Sequence, residues 1–372
     1  MAFLSGSKKN KNGFHVVVEV RDRSLDLHLL AIEGDKFSAL SEVSMSHRIV
    51  AEDGLTQEKI KEFSDILNKA FAKLVEATRK KIGDTDRIKI KSSQVVIFYP
   101  WFVVEEKNNI QIGSSSVATI LSQKNMEEAL RNIDTGGLPS AHPVAAYTYK
   151  KTIIETVVNS ITLNGYIVPE PSGKKSKNIM IGASIYTAAA GILDILKKDV
   201  KFHTELEPEI ITLPKSLALY INKTVKNNPV LYINVEADNT CITSITPGSS
   251  LVYKSKFVDI GEEDIIEKVM EESNTTRDIA LSYIRLVHEQ ALTPEVSALV
   301  KSAFDKVVGE WKTLVIKACT ELYTQGEKKL VCHNQKMADI FYDAIFGENH
   351  EVALLKNIDV EKIVFNSAVG TL

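Results

Sequence analysis

Two short polar stretches follow apolar runs, and their side chains could engage a charged ligand. The first, Glu19-Val20-Arg21-Asp22-Arg23-Ser24, closes the apolar run from His15 to Val20. A guanidinium presents paired N–H donors that match two phosphate oxygens, so Arg21 and Arg23 could grip an anion. The plainer reading of the same residues is a solvated turn of alternating charge. The second stretch, Asn234 to Thr240, closes the apolar run from Val230 to Val235 and carries Glu236 and Asp238. Carboxylates oppose a phosphate: two like charges about 4 Å apart, at an effective dielectric of roughly 20, repel by about 4 kcal/mol, nearly a thousandfold in affinity.

No other grouping stands out as catalytic. The eight histidines lie in unrelated contexts, without a Ser-His-Asp order or a metal-ligand spacing, so surface or capping positions are their default reading. Cys241, Cys319 and Cys332 show no CxxC or CxxH spacing and read as buried thiols in a reducing cytoplasm. Glu105-Glu106 is a second carboxylate pair. Glu262-Glu263-Asp264 falls in the first turn of a helix, where the macrodipole favours acids. Lys174-Lys175-Ser176-Lys177 is a basic loop, read as solvated, with contact to an acidic partner or to lipid as the alternative.

The elements that must position these residues follow from periodicity. The chain has 372 residues, 44% of them hydrophobic and 25% charged, enough for two or three domains or subdomains. With 45 basic against 48 acidic residues it has no global drive toward nucleic acid or an anionic membrane. No apolar run approaches the roughly 20 residues that span a bilayer, and the N-terminus lacks a secretory h-region. Met1 to Gly13 reads as a basic leader that solvates the first strand. Strands are expected at His15 to Val20, Leu25 to Ile32, Gln94 to Tyr99, Phe102 to Glu105, Thr152 to Ile167 (a pair), Asn178 to Ala183 and Lys329 to Cys332. Helices are expected at Lys59 to Ile82, Met126 to Ile133, Ala188 to Lys198, Lys215 to Ile221, Arg277 to His288, Val296 to Tyr323 and Met337 to Phe346. Thr275-Thr276-Arg277-Asp278 is like a capping-box start. The small residues Ala188-Ala189-Ala190-Gly191 imply tight packing of a helix on a sheet.

The stretch from Asn228 to Val269 organises the chain: strand, turn, strand, a Pro247-Gly248 hairpin, strand, then a helix that starts at Gly261. That order resembles the second phosphate region of actin-like ATPases, above all the bacterial cell-division protein FtsA and the type IV pilus protein PilM. In those families the turn carries Asp-x-Gly, because only glycine lets backbone N–H groups close on a phosphate. Here Asn234 and Glu236 hold the matching positions, and a register different by a residue or two would bring Asp238 there. The first phosphate loop of the family, Asp-x-Gly-(Ser/Thr), matches Glu19 to Ser24, which has no glycine. The adenosine-binding Gly-Gly matches His333-Asn334.

The resemblance implies a two-domain actin-like α/β fold, a duplicated ribonuclease H-like topology with an inserted small α+β subdomain of SHS2 type. Its expected parts are a leader (1–13), domain 1 (14–100 and 176–208), the insertion (101–175), domain 2 (209–350) and a closing strand and helix (351–372). It also implies residual, degenerate nucleotide-site positions at Glu19, Arg21, Arg23, Ser24, Asn234, Glu236, Asp238, Thr240, Gly261, His333 and Asn334. No catalytic residue, metal or cofactor is expected, and ATP with Mg²⁺ is not favoured. The implied role is a pseudo-ATPase scaffold at the inner face of the plasma membrane, cytoplasmic and reaching the membrane through a partner, with self-association open. The implied partner is an inner-membrane assembly protein or its cytoplasmic tail peptide. The Lys-bearing leader, and a sequence that ends at Leu372 without the amphipathic helix of FtsA, lean toward PilM and type IV pilus or secretion assembly. An FtsA-like division adaptor and a divergent ATPase using Arg21 or Arg23 are the alternatives.

Overall fold

Five consecutive residues, Val16 to Val20, are buried on the first strand, β1 (Gly13–Val20), which marks it as a central strand covered on both faces. The structure, a computed structural model, describes residues 13–33, 36–49, 56–83, 88–112, 118–131, 151–168, 172–224, 229–248, 251–322 and 329–332. The chain divides into two compact units, residues 1–213 and 214–372.

In the first unit, β1 pairs antiparallel with β2 (Ser24–Glu33), and β2 pairs antiparallel with β3 (Lys36–Ser46). On its other side β1 pairs parallel with β4 (Ile90–Ile97), which pairs parallel with β11 (Glu209–Thr212). The sheet order is β11-β4-β1-β2-β3. Strand β3 has no counterpart among the sequence expectations. Its serines and charges alternate with apolar residues along a sheet edge, so it lacks the continuous apolar run by which β1 is recognised.

Helix α1 (Gln57–Ile82) starts where Thr56 Oγ1 accepts the Lys59 N–H at 3.2 Å and ends at Gly83, whose φ of 84° suits glycine. Phe63, Leu67, Ala70, Phe71 and Leu74 form its buried stripe, at the expected 3–4 spacing. It packs against α3 (Ala190–Thr204), where a Cβ on Gly191 would stand 3.0 Å from Ile60 Cδ1. The small residue thus serves a helix–helix contact, and the expected helix start moves from Ala188 to Ala190 because Ala188 and Ala189 end a strand.

Between β4 and α3 lies a second sheet. It takes β5 (Phe102–Ile112), β7 (Lys151–Leu163), β8 (Tyr166–Ile167) and β10 (Ile179–Ala189) in the antiparallel order β5-β10-β7-β8. Helix α2 (Gln123–Arg131) covers one face through Met126, Ala129 and Leu130. The short pair β6 (Thr119–Ile120) and β9 (Lys175–Ser176) lies beside it. β10 pairs along its length with both β5 and β7, so this sheet runs to Ala189 and the boundary expected at 175/176 falls inside it.

The second unit begins with α4 (Leu213–Thr224) and repeats the topology of the first. β12 (Val230–Val235), β13 (Thr240–Thr246) and β14 (Val252–Val258) form an antiparallel meander, and β15 (Lys329–Cys332) pairs parallel with β12. The order β14-β13-β12-β15 matches β3-β2-β1-β4. Helices α5 (Glu262–Ser273), α6 (Arg277–His288) and α7 (Pro294–Leu322) bury one face of this sheet around Ile233, Val235, Ile265, Val300 and Trp311. Thr276 holds the N-cap position of α6 without a side-chain capping bond, so the capping box expected there is not formed. The leader through residue 12, the Gly136–Pro139 loop, His333, Asn334, the expected helix over 337–346 and the closing segment 351–372 lie outside the described residues.

Candidate functional site

The β1–β2 turn is filled from within. Glu19 and Asp26 face each other across the hairpin, an arrangement of like charges that is unfavourable unless a cation bridges them. Arg21 does so: its Nη2 lies 2.6 Å from Glu19 Oε2, and its Nε lies 2.9 Å from Asp26 Oδ2. Its guanidinium carbon also sits 4.5 Å from the centre of the Phe98 ring, a cation–π position. Only 13% of the Arg21 side chain and 1% of the Glu19 side chain are exposed, which replaces the solvated turn expected from sequence.

The backbone of this turn is equally committed. The Arg21 N–H donates to Ser24 O at 2.9 Å, and the Trp101 indole N–H donates to Arg21 O at 2.7 Å. The His47 N–H donates to Arg23 O at 2.9 Å, and the Phe98 N–H donates to Val20 O at 2.9 Å. Ser24 Oγ donates to Asp26 Oδ2 at 3.1 Å. Asp22 is buried, and Arg23 has an exposed side chain.

Histidines prove to be part of this interior, contrary to the surface default. His15, His28 and His47 are buried. His28 Nε2 lies 3.7 Å from Glu19 Oε1. His47 packs its ring edge-on to Trp101, 5.6 Å between centroids. Burial pushes the pKa of His47 below its ordinary 6.5, against weaker raising contributions from nearby backbone and from Asp26.

The β12–β13 turn is closed by a different device. Asn234 Nδ2 donates to Glu236 Oε1 at 2.6 Å, and both side chains are buried. The Glu236 N–H donates to Asn239 O at 2.7 Å. The turn then lies over the start of α5: Glu262 N–H donates to Glu236 O at 3.0 Å and Glu263 N–H to Ala237 O at 2.8 Å. Gly261 N–H donates to Asp264 Oδ2 at 2.7 Å. The N-terminal amides of a helix are a ready anion site when open, and here these three are taken by the chain itself.

Glycine is required at position 261 for close approach. Its φ of −142° is ordinary extended backbone. A Cβ there would stand 2.3 Å from Ala237 O and 2.4 Å from Glu236 O, so the space that glycine leaves is occupied by the turn's own carbonyls. Thr240 Oγ1 donates to Ile260 O at 2.8 Å and accepts the Trp311 indole N–H at 2.8 Å.

The surroundings of this turn are acidic. An open groove of about 520 Å³ is lined by Asp259, Asp264, Glu267, Glu271 and Glu310, with Lys268 the basic residue on its wall. Burial chiefly, and then Asp238 and Glu310, push the Asp264 pKa up against the hydrogen bond from Gly261. Glu263 is buried and pairs through both carboxylate oxygens with Arg277. No group of three or more metal-ligating side chains occurs among the described residues. Cys241 is buried with its thiol pushed up to about 12 by burial, an unreactive state.

Of the expected site positions, the structure brings Glu19, Arg21 and Ser24 together in one turn. It brings Asn234, Glu236, Thr240 and Gly261 together in the other, with Asp238 half-buried beside them. In both turns backbone N–H groups are already bonded within the chain. Sequence reasoning passed over Asp26, Phe98 and Trp101 at the first turn, and Trp311 at the second. The signal for Asp26 was available: a tight turn from Arg21 to Arg23 sets Glu19 opposite Asp26.

Two units that repeat one meander-plus-parallel-strand topology, with a small sheet-and-helix insertion after β4, define an actin-like two-domain fold. No family model matches the sequence, and no curated protein matches it. Among solved structures the chain is similar to the PilM-PilN type IV pilus biogenesis complex, at 13% identity and a TM-score of 0.51 over 98% of each chain. It is also similar to a protein of actin-like ATPase fold and unknown function from Bacteroides thetaiotaomicron, with 8% identity, coverage of 92% and 91%, and a TM-score of 0.43. The ethanolamine utilization protein EutJ from Carboxydothermus hydrogenoformans gives 8% identity, coverage of 92% and 84%, and a TM-score of 0.43.

Proposed function

We propose that this chain is a PilM-like scaffold of a membrane-associated assembly machine, one that works without hydrolysing ATP. The observation that carries the reading is the pair of self-filled turns. At the first, an incoming phosphate must compete with Glu19 and Asp26 for Arg21. At the second it must approach Glu236, in acidic surroundings, with the first amides of α5 already bonded. Each opposed charge weakens binding by an amount of the order derived above, and phosphoryl transfer depends on the positioning that such turns supply. An actin-like fold whose turns are filled by its own side chains and carbonyls suits a platform for other proteins.

Likeness over nearly the whole chain to a structure of PilM with PilN supports the choice of partner class. The partner on this reading is the cytoplasmic tail of an inner-membrane assembly protein, which ties the chain to the inner face of the plasma membrane. No helix among the described residues is long and apolar enough to cross a membrane. Cross-linking in the native cell, followed by mass spectrometry of what is joined to the chain, tests the reading. An inner-membrane protein with a short cytoplasmic tail is the expected product. A tubulin-like division protein in its place would favour the FtsA-type adaptor instead.

A further inference from the structure

The basic loop singled out in the sequence is adjoined by exposed apolar side chains, and the two together form a built surface. At one end of the inserted sheet, Leu163 of β7 and Ile112 of β5 flank Ile179 of β10. The chain turns there through Asn164 and Gly165, at φ of 53° and 88°, and sets Tyr166 opposite Leu163. Tyr166 is 77% exposed and Ile167 is 74% exposed, so both side chains protrude. The short β6–β9 pair adds Ile120, 54% exposed and directly opposite Lys175.

Hydrogen bonds hold the lysines beside these apolar groups. Leu121 N–H donates to Lys174 O at 2.9 Å, and Asn164 N–H donates to Asn178 O at 2.7 Å. Ser176 is buried and donates to Asn164 Oδ1 at 2.8 Å, locking the basic loop to the Tyr166 turn. Lys174, Lys175 and Lys177 are exposed, and none forms an ion pair among the described residues. Glu170, the acid of the intervening sequence, lies outside them.

The geometry points to a direct contact between this tip and anionic lipid headgroups. An exposed aromatic and two exposed aliphatic side chains, beside lysines that form no ion pair among the described residues, have the composition of an interfacial membrane contact: ring and aliphatic groups enter the headgroup boundary while ammonium groups meet the lipid charge. Charge complementarity favours an anionic surface. The open, protruding arrangement of Tyr166 and Ile167 favours a fluid lipid boundary over the fixed pocket that a protein partner would offer. This inference is independent of the PilM-like reading, in which the membrane is reached through a partner.

Co-sedimentation of the full chain with vesicles tests it, using phosphatidylcholine alone and phosphatidylcholine mixed with phosphatidylglycerol. The chain should sediment with the mixed vesicles, less so at high salt, and not with phosphatidylcholine alone. Loss of about fivefold per lysine predicts that K174Q/K175Q/K177Q weakens binding by on the order of a hundredfold. Y166S/I167S should weaken it by about tenfold through lost apolar insertion. All five side chains are exposed, so both variants should keep the wild-type circular dichroism and melting curve. The leader variant K8Q/K9Q/K11Q should bind as wild type does. The inference is overturned if the wild-type chain ignores mixed vesicles, if the tip variants bind as wild type, or if the leader variant alone abolishes binding. Capture by soluble polyglutamate without vesicle binding would overturn it too, assigning the tip to an acidic protein.

Discussion

The two turns occupy equivalent places in the two units, and each is tied down by one of the chain's two tryptophans, Trp101 on Arg21 O and Trp311 on Thr240 Oγ1. The ways they are filled differ. The first is closed by charge, with Arg21 between two carboxylates that its own hairpin sets face to face. The second is closed by backbone, with two carbonyls of the turn laid on the first amides of α5 in the space that Gly261 leaves. On the proposed reading a nucleotide phosphate is therefore kept out in two different ways, by an internal counter-ion at one turn and by folding the turn onto its own helix at the other. The first closure should respond to charge substitutions, and the second to volume.

Removing Arg21 should break the contrast most strongly. Arg21→Met leaves Glu19 buried opposite Asp26 without a cation, and breaking a buried pair in this way costs about 3–5 kcal/mol. Urea unfolding followed by Trp101 fluorescence in a Trp311→Phe background should show that loss in the first unit. Adding Glu19→Gln to Arg21→Met should recover part of it, since the like-charge opposition goes. Next in size is Gly261→Ala, which forces a methyl group against two backbone carbonyls and should destabilise the second unit by about 3 kcal/mol. Trp311 fluorescence in a Trp101→Phe background should report it, with the first unit unchanged.

A smaller effect is expected from pH, with opposite signs in the two units. His15, His47 and His203 of the first unit all have pKa values lowered by burial. The unfolded chain then binds more protons than the folded one, so their contribution is intact above about pH 6.5 and is lost as pH falls below it. Asp264 of the second unit has a raised pKa. Its protonated form is favoured on folding, so its contribution is present at low pH and fades as pH rises through the folded value. Urea midpoints measured from pH 7 down to 5 should therefore fall for the first unit, and the His47→Phe variant should reduce that slope.

The legible part of this molecule was the part written in apolar periodicity. β12 to β14 and the α5 start at Gly261 follow from alternation, a Pro-Gly hairpin and a glycine before an acidic helix turn. The stripe of α1 is visible in Phe63, Leu67, Ala70 and Phe71. What escaped was long-range pairing. β3 is a polar edge strand, and β10 reads as a generic buried strand until its partners β5 and β7 are known. At the sites, the absence of glycine from residues 19–24 and 234–240 was readable from the sequence. What fills them was not: Arg21 looks solvated until Asp26, Phe98 and Trp101 are brought around it, His15 and His28 are interior because β1 and β2 lie inside the sheet, and His47, just past β3, is interior because it packs against Phe63 and Trp101.

The central proposal is that the chain's own groups fill both turns and leave no place for a nucleotide phosphate. Isothermal titration of Mg-ATP into the full chain tests it most directly. The account predicts no saturable heat up to millimolar nucleotide, on the order of the thousandfold loss expected from a single opposed charge. Saturable binding at micromolar concentration, weakened by Arg21→Met or by Glu236→Gln, would contradict it.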